Sequence, residues 1–187
     1  MGLSVRVRGQ SAATFRFVEV HLMETLAAWI PTTPEMEAKL LFGEHVWDCA
    51  EHADWFGKRT HELRLPLHHS LCPGERYLAI LNRIAAVTDT TERIAGFYEV
   101  VLPRFGGRLR SYLAETDRLM DAPTVRIMER VLSDHDRMIR QSSELIAELP
   151  NLGRRDDGFV RELATRDAAI DAIIAAEAPA AGSEARP

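Results

Sequence analysis

The sequence has few cysteines and lacks long apolar runs, and these absences narrow the classes of protein to which it can belong. Its 187 residues contain two cysteines, Cys49 and Cys72, too few for a disulfide framework or a zinc ribbon. No apolar run reaches the roughly 20 residues that a membrane-spanning helix needs. The N-terminal residues also lack the apolar core of a secretory signal. We therefore expect a cytoplasmic protein that makes no membrane contact.

Motifs for nucleotide binding and serine hydrolysis are also missing. The sequence has no P-loop, no dinucleotide-binding fingerprint and no Gly-x-Ser-x-Gly segment. Its formal net charge of −5 at pH 7 argues against a general nucleic-acid-binding protein, because such proteins usually carry a basic surface. With 46% hydrophobic and 27% charged residues, the chain has the composition of a folded globular domain.

Strand signals are scarce, whereas helical spacing of apolar residues extends over nearly the whole chain. Only the segment "LSVRVRG" alternates, and it does so briefly. The spacing predicts four long helices, A to D, over residues 11–30, 33–64, 88–120 and 122–149. Thr33 followed by Pro34 is a good start signal for helix B. A short helix is predicted between B and C, at 76–87, and another follows D.

Four long amphipathic helices with mostly short connections predict an all-α, antiparallel up-down four-helix bundle. The longer B–C connection would carry the short helix across one end. Pro103 and Gly106-Gly107 predict a kink or break near the middle of helix C. The expected divisions are an N-terminal arm, the bundle, a C-terminal helical extension and a disordered tail, at 1–10, 11–149, 150–176 and 177–187.

Polar residues interrupt the apolar stripes of three predicted helices. Glu19 lies in the middle of the stripe on helix A. In "HVWDCAEH" of helix B, His45, Asp48 and His52 follow the spacing i, i+3, i+7 and stack along one side. His135 lies at the centre of the inner face of helix D. A buried carboxylate must be neutral, ion-paired or bound to a metal, so these five residues are the candidate metal ligands.

The pattern leaves two interpretations open. Inward residues on facing helices can build a metal site, and mixed imidazole and carboxylate ligands suit iron or manganese, and also zinc. Alternatively, the same groups form a buried polar network or a metal-free ligand pocket, in which Glu19 pairs with Arg104 or Arg108 of helix C. Asp134 and Asp136, which flank His135, are predicted to point elsewhere. Tyr98 of helix C would line the site as a catalytic proton donor or a radical-sensitive neighbour.

This layout resembles the ferritin-like superfamily of four-helix-bundle metalloproteins. In that family the first and third helices each supply a glutamate, and the second and fourth each supply Glu-x-x-His. Carried over, Glu19 takes the first position, and Asp48 with His52 approximates the second pair at spacing i, i+4. His135 takes the fourth histidine position.

The ligand pattern is incomplete for that family. Leu132 stands three residues before His135, where the family has glutamate, and only Glu99 is available on helix C, in poor phase. The number of ions, one or two, stays open. The resemblance implies an iron- or manganese-dependent oxidoreductase that uses O₂ on a small molecule. A homodimer is the expected assembly, because a bundle of this size commonly dimerises. A non-catalytic bundle that binds a ligand or protein partner, and a hydrolytic metalloprotein, are the alternatives.

Overall fold

A computed structural model describes residues 3–153, 157–170 and 173, and within these ranges the chain is helical, with no strand. The α-helices are α1 (Val5–Trp29), α2 (Met36–Glu62), α3 (Glu75–Ala85), α4 (Thr90–Ile94), α5 (Leu102–Glu115), α6 (Ala122–Glu148) and α7 (Gly158–Ala168). A π-helix, Ala95–Val101, joins α4 to α5, and short 3₁₀-helices cover Ile30–Thr32 and Pro150–Gly153. None of the described helices is long and apolar enough to cross a membrane.

The predicted helices are present, with corrected ends. Helix α1 begins at Val5 rather than residue 11, so the short alternating segment is helical. Ser4 caps this end by accepting a hydrogen bond from the Val7 backbone N–H at 3.2 Å. Thr33 does not cap α2, because its hydroxyl donates to the Trp29 carbonyl at 2.9 Å and closes the end of α1. The predicted tail, 177–187, lies outside the described residues.

The predicted disturbance of helix C is a widened turn rather than a break. The Leu102 N–H bonds to the carbonyl of Phe97, five residues back, directly before Pro103. Proline has no N–H to donate and its ring crowds the preceding turn, and a π-turn relieves that crowding without ending the helix. The helix then continues through both glycines to Glu115, so we call α4, the π-helix and α5 together the third long helix.

Aromatic contacts fix the directions of the long helices. The ring centroids lie 5.5–6.0 Å apart in four pairs: Trp29–Phe42, Trp29–Phe97, Phe15–Phe56 and Phe15–Phe105. Both α2 and the third long helix therefore run antiparallel to α1, and parallel to each other. The expected alternation of direction is wrong at the B–C connection, because that connection, with α3, returns the chain to the end at which α2 began.

One end of the long helices is held by a buried carboxylate. Asp121, just before α6, has no solvent exposure and accepts four hydrogen bonds. The donors are Thr124 (2.6 Å), Tyr112 (2.7 Å), Arg59 (2.9 Å) and Thr116 (2.9 Å). Burial alone would raise the pKa of Asp121, but these hydrogen bonds outweigh it and lower that pKa. The cluster ties α2, α5 and α6 together.

A buried arginine holds the opposite end. The Arg93 guanidinium donates to the Val87 carbonyl at 2.8 Å and to the hydroxyls of Thr33 and Thr32 at 2.8 and 2.9 Å. It also lies over the Trp29 ring, 5.4 Å from the centroid. The turn between α1 and α2 is therefore fastened to the start of the third long helix.

We expect Asp121→Asn to lower the free energy of unfolding by about 3–5 kcal/mol, because it leaves the buried Arg59 with only the exposed Glu62 as a charged partner. Because the pKa of Asp121 is depressed in the folded state, its stabilisation is full above the ordinary aspartate value and is lost as the pH falls below about 4. Urea unfolding at pH 7 and at pH 3 tests both points. Asp136→Asn, at an exposed residue paired with Arg110, should change stability little; equal losses would contradict the assignment.

Candidate metal centre

Three helices place one carboxylate and two imidazoles at a shared interior point. The Nε2 atom of His135 on α6 lies 3.1 Å from Oε1 of Glu19 on α1. The Nδ1 atom of His52 on α2 lies 3.4 Å from the other oxygen, Oε2. One ligand atom from each residue can be chosen so that all three lie within 4.8 Å of one another. Glu19 and His52 are 0% exposed and His135 is 2% exposed.

The surroundings of this cluster are apolar and largely aromatic. The imidazoles of His52 and His135 contact each other with centroids 5.5 Å apart. The Phe105 ring lies 5.8 Å from His135, and Trp55 lies 5.5 Å from His52. The glutamate interrupts the stripe that supplies the buried Phe15, Leu22 and Leu26, so the packing that buries α1 also buries its carboxylate.

Mutual ionisation compensates for the burial of these groups. Burial would raise the pKa of Glu19, but the charges of His52 and His135 and the hydrogen bond to His135 lower it to about 2. Burial would lower the pKa of His52, but Glu19 and Asp134 raise it to about 9. In the metal-free protein the site is therefore an ion pair between a carboxylate and at least one imidazolium.

Asp134 belongs to the site, contrary to the prediction that it points elsewhere. Its Oδ2 lies 3.5 Å from Nε2 of His52 and 3.0 Å from Nε of Arg130. Burial would raise the pKa of Asp134, but the hydrogen bond to His52 and the charge of Arg130 lower it. The sequence did contain a signal for this position: Arg130 and Arg137 lie four residues before and three residues after Asp134. At these helical spacings an arginine can pair with the carboxylate.

Two of the five expected ligands lie apart from the cluster. The Nδ1 atom of His45 is 2.7 Å from the Tyr98 hydroxyl and its Nε2 is 3.0 Å from Oε1 of Gln141. Asp48 accepts a hydrogen bond from Nη2 of Arg137 at 2.7 Å. Seven helical residues span about 10.5 Å, so His45 and His52 share a side of α2 but lie at different levels along the helix axis. Only Glu19, His52 and His135 converge.

The remaining candidates also have other partners. Tyr98 is buried on the π-helix and contacts His45 rather than the cluster. Glu99 is exposed. Arg108 and Arg104 approach Asp167 of α7, at 3.0 and 4.0 Å, so neither is the partner of Glu19 that the metal-free interpretation suggested.

No family model, curated protein or solved structure matches the chain. The chemistry of the site is therefore inferred from the residues that form it.

The three converging residues could hold a metal ion. Ligand atoms placed about 2.1 Å from an ion at right angles lie roughly 3 Å apart, close to the 3.1 and 3.4 Å observed between Glu19 and the two imidazoles. Glu19 Oε2 and His52 Nδ1 are buried, and neither has a hydrogen bond of acceptable geometry to any described residue. A metal ion between them would satisfy both atoms, and the Asp134 contact would fix the ring of His52.

We expect the pKa of His52, about 9 in the metal-free protein, to fall in Glu19→Gln, because burial then meets less opposing charge. Histidine NMR titration measures it, with the exposed His61 as an internal control. An unchanged His52 titration in Glu19→Gln would contradict the ion pair.

The same ion pair makes stability depend on pH at both ends. The raised pKa of His52 stabilises the metal-free fold fully below pH 6.5, and the contribution is lost as the pH rises through about 9. The lowered pKa of Glu19 contributes fully above pH 4.5 and is lost as the pH falls towards 2. Urea unfolding from pH 3 to 10 should therefore give a flatter profile for Glu19→Gln than for the wild type.

Proposed function

We propose that the protein is a ferritin-like metalloprotein that holds one iron or manganese ion through Glu19, His52 and His135 and acts as an O₂-dependent oxidoreductase. The observation that carries this proposal is the buried convergence of the three side chains. Two histidines and one carboxylate with open coordination positions are typical of non-haem iron oxygenases.

The helix directions support the ferritin-like arrangement. The parallel course of α2 and the third long helix requires one long crossover, and ferritin-like bundles have one such connection. The three proposed ligands come from the first, second and fourth long helices, as the resemblance implied.

The neighbouring carboxylates favour one ion rather than two. Asp48 pairs with Arg137 through Oδ1 and lies outside the three-residue cluster, Glu99 is exposed and Leu132 cannot ligate. A second ion would lack the bridging carboxylates that a dinuclear centre needs. The proposed site is therefore mononuclear.

The surrounding residues prepare the site for small reactants. A bound ion of this kind would supply the position for dioxygen chemistry. Phe105 and Trp55 exclude water from the two imidazoles. Asp134 lies 3.5 Å from Nε2 of His52 and forms an ion pair with the exposed Arg130, so it orients the His52 ring. Because all three ligands are buried, only small molecules would have direct access to the ion.

One observation favours the non-catalytic alternative. Each oxygen of Glu19 already meets one imidazole, at 3.1 and 3.4 Å, so the charges compensate each other without an ion. In that case the cluster is a structural polar network in a helical binding protein. The homodimer and the cytoplasmic location stay part of the proposal.

Metal analysis separates these possibilities. We expect the purified protein to bind one iron or manganese ion per chain, and His52→Ala and His135→Ala to abolish binding. His45→Gln and Asp48→Asn are the matched controls, and both should keep the ion because neither residue reaches the cluster. Plasma mass spectrometry of protein reconstituted without oxygen measures the content.

Each other outcome supports a different alternative. Stoichiometric zinc that resists exchange would support a hydrolytic metalloprotein. No metal after reconstitution, with an unchanged circular dichroism spectrum, would support the polar network.

We expect Asp134→Asn to weaken metal affinity about 10–100-fold, because it removes the carboxylate that orients His52. Competition with a coloured chelator measures the affinity. Asp136→Asn, two residues along and exposed, is the control; equal effects of the two substitutions would show that Asp134 acts only through surface charge.

A further inference from the structure

The chain contains three tyrosines, and their hydroxyl partners differ in basicity. Tyr77, Tyr98 and Tyr112 are all buried. The Tyr77 hydroxyl has no hydrogen-bond partner among the described residues. The Tyr112 hydroxyl donates to Asp121, a carboxylate that already accepts three other hydrogen bonds and is a weak base. The Tyr98 hydroxyl alone meets an imidazole, 2.7 Å away.

The hydrogen-bond network fixes the direction of the bond between Tyr98 and His45. Gln141 donates from Nε2 to Glu44 at 2.9 Å, and its Oε1 accepts from Arg137 at 3.1 Å. This oxygen also faces Nε2 of His45 at 3.0 Å, so Nε2 must carry the proton. Nδ1 of His45 is then the free lone pair that accepts the Tyr98 O–H.

A base in this position changes the redox chemistry of a phenol. Removing one electron from tyrosine makes its hydroxyl strongly acidic, so oxidation in a buried place needs a nearby acceptor for the proton. For Tyr98 the electron leaves to the oxidant, the O–H bond breaks and the proton moves to His45 Nδ1. The products are a neutral tyrosyl radical and an imidazolium, and charge and atoms balance.

We propose that Tyr98 and His45 form a proton-coupled redox pair that supplies one electron to an oxidant in the protein core. The pair shares no residue with the three proposed metal ligands. We take its physiological oxidant to be the metal ion after oxidation by dioxygen. That assignment rests on the proposed function, whereas the existence of the pair does not.

The placement of the pair suits this role. His45 and His52 lie on one side of α2, with the buried Cys49 between them, so the pair is about two helical turns from the candidate metal centre. On its other side Tyr98 contacts the Phe97 ring at 4.8 Å, and Phe97 contacts Trp29 at 5.9 Å. The electron donor, Tyr98, is thus enclosed by aromatic rings on one side, and the buried Cys49 lies on the side towards the candidate metal centre.

A chemical oxidant tests the pair without any metal at the site. Trp47 is 67% exposed and Cys72 is exposed, so both would react first. The parent for the experiment therefore carries Trp47→Phe and Cys72→Ser. Metal-free parent protein is mixed with hexachloroiridate(IV), frozen and studied by electron paramagnetic resonance, with deuterated tyrosine to identify the radical.

We expect a tyrosyl signal in the parent that persists in Tyr77→Phe and Tyr112→Phe and is lost in Tyr98→Phe. His45→Gln should also lose it, because an amide accepts the hydrogen bond but cannot hold the proton. Thermal unfolding establishes that each variant is folded. A signal that survives Tyr98→Phe, or that His45→Gln leaves unchanged, would overturn the proposal, as would the absence of a tyrosyl signal in the parent.

A second arm separates this inference from the proposed function. Parent protein loaded with iron(II) is exposed to dioxygen and frozen in the same way. A Tyr98 radical in both arms supports the pair and its link to the metal. A radical with the chemical oxidant alone supports the pair and overturns its link to dioxygen chemistry.

Discussion

The carboxylate of Glu19 between two imidazoles is the interaction on which the interior of this protein depends. An ionised group without solvent exposure is tolerated only when opposite charge and hydrogen bonds replace the lost water. His52 and His135 supply both, from helices adjacent to α1. The three helices must therefore keep their relative heights to within a fraction of a turn, since one residue of slippage would leave a bare charge in an apolar core.

Polar contacts at the two ends of the long helices keep these helices at fixed relative heights. Asp121 with Arg59 fixes the end of α2 against the start of α6, and Arg93 fixes the turn between α1 and α2 against the third long helix. Each holds helices to one another through hydrogen bonds of defined length, whereas apolar contacts alone would allow sliding. The polar clamps at the ends thus set the register that the central cluster needs.

The three residues of the cluster could be predicted from the sequence because the helical period alone determines whether each side chain faces the core. Glu19, His52 and His135 each lie in the middle or at the border of an apolar stripe, and helix period places them inward. His45 was misassigned because the helical period gives the side of a helix on which a residue lies, but not the level along the helix axis at which it meets residues of neighbouring helices. Asp134 was missed because it approaches from the edge of α6, where small rotations decide between solvent and core.

The same distinction applies to the fold. Helix identity and approximate ends follow from apolar spacing, so all four long helices were predicted. The direction of the third follows from how far the B–C connection travels, which the sequence of that connection does not encode locally. The π-turn before Pro103 was predicted only as a disturbance, because proline removes one hydrogen bond but packing decides whether the helix bends, breaks or widens.

The π-helix before Pro103 affects both the fold and the candidate site. An extra residue in one turn of a helix rotates everything before it relative to everything after it. Phe105, after the π-helix, packs against His135, while Tyr98, within it, faces His45. A regular α-helix through residues 95–101 would change the angle between these two side chains, so it could not serve both contacts from the same backbone. The position of Pro103 thus favours a geometry in which one helix walls the candidate metal centre and also presents a phenol to a base.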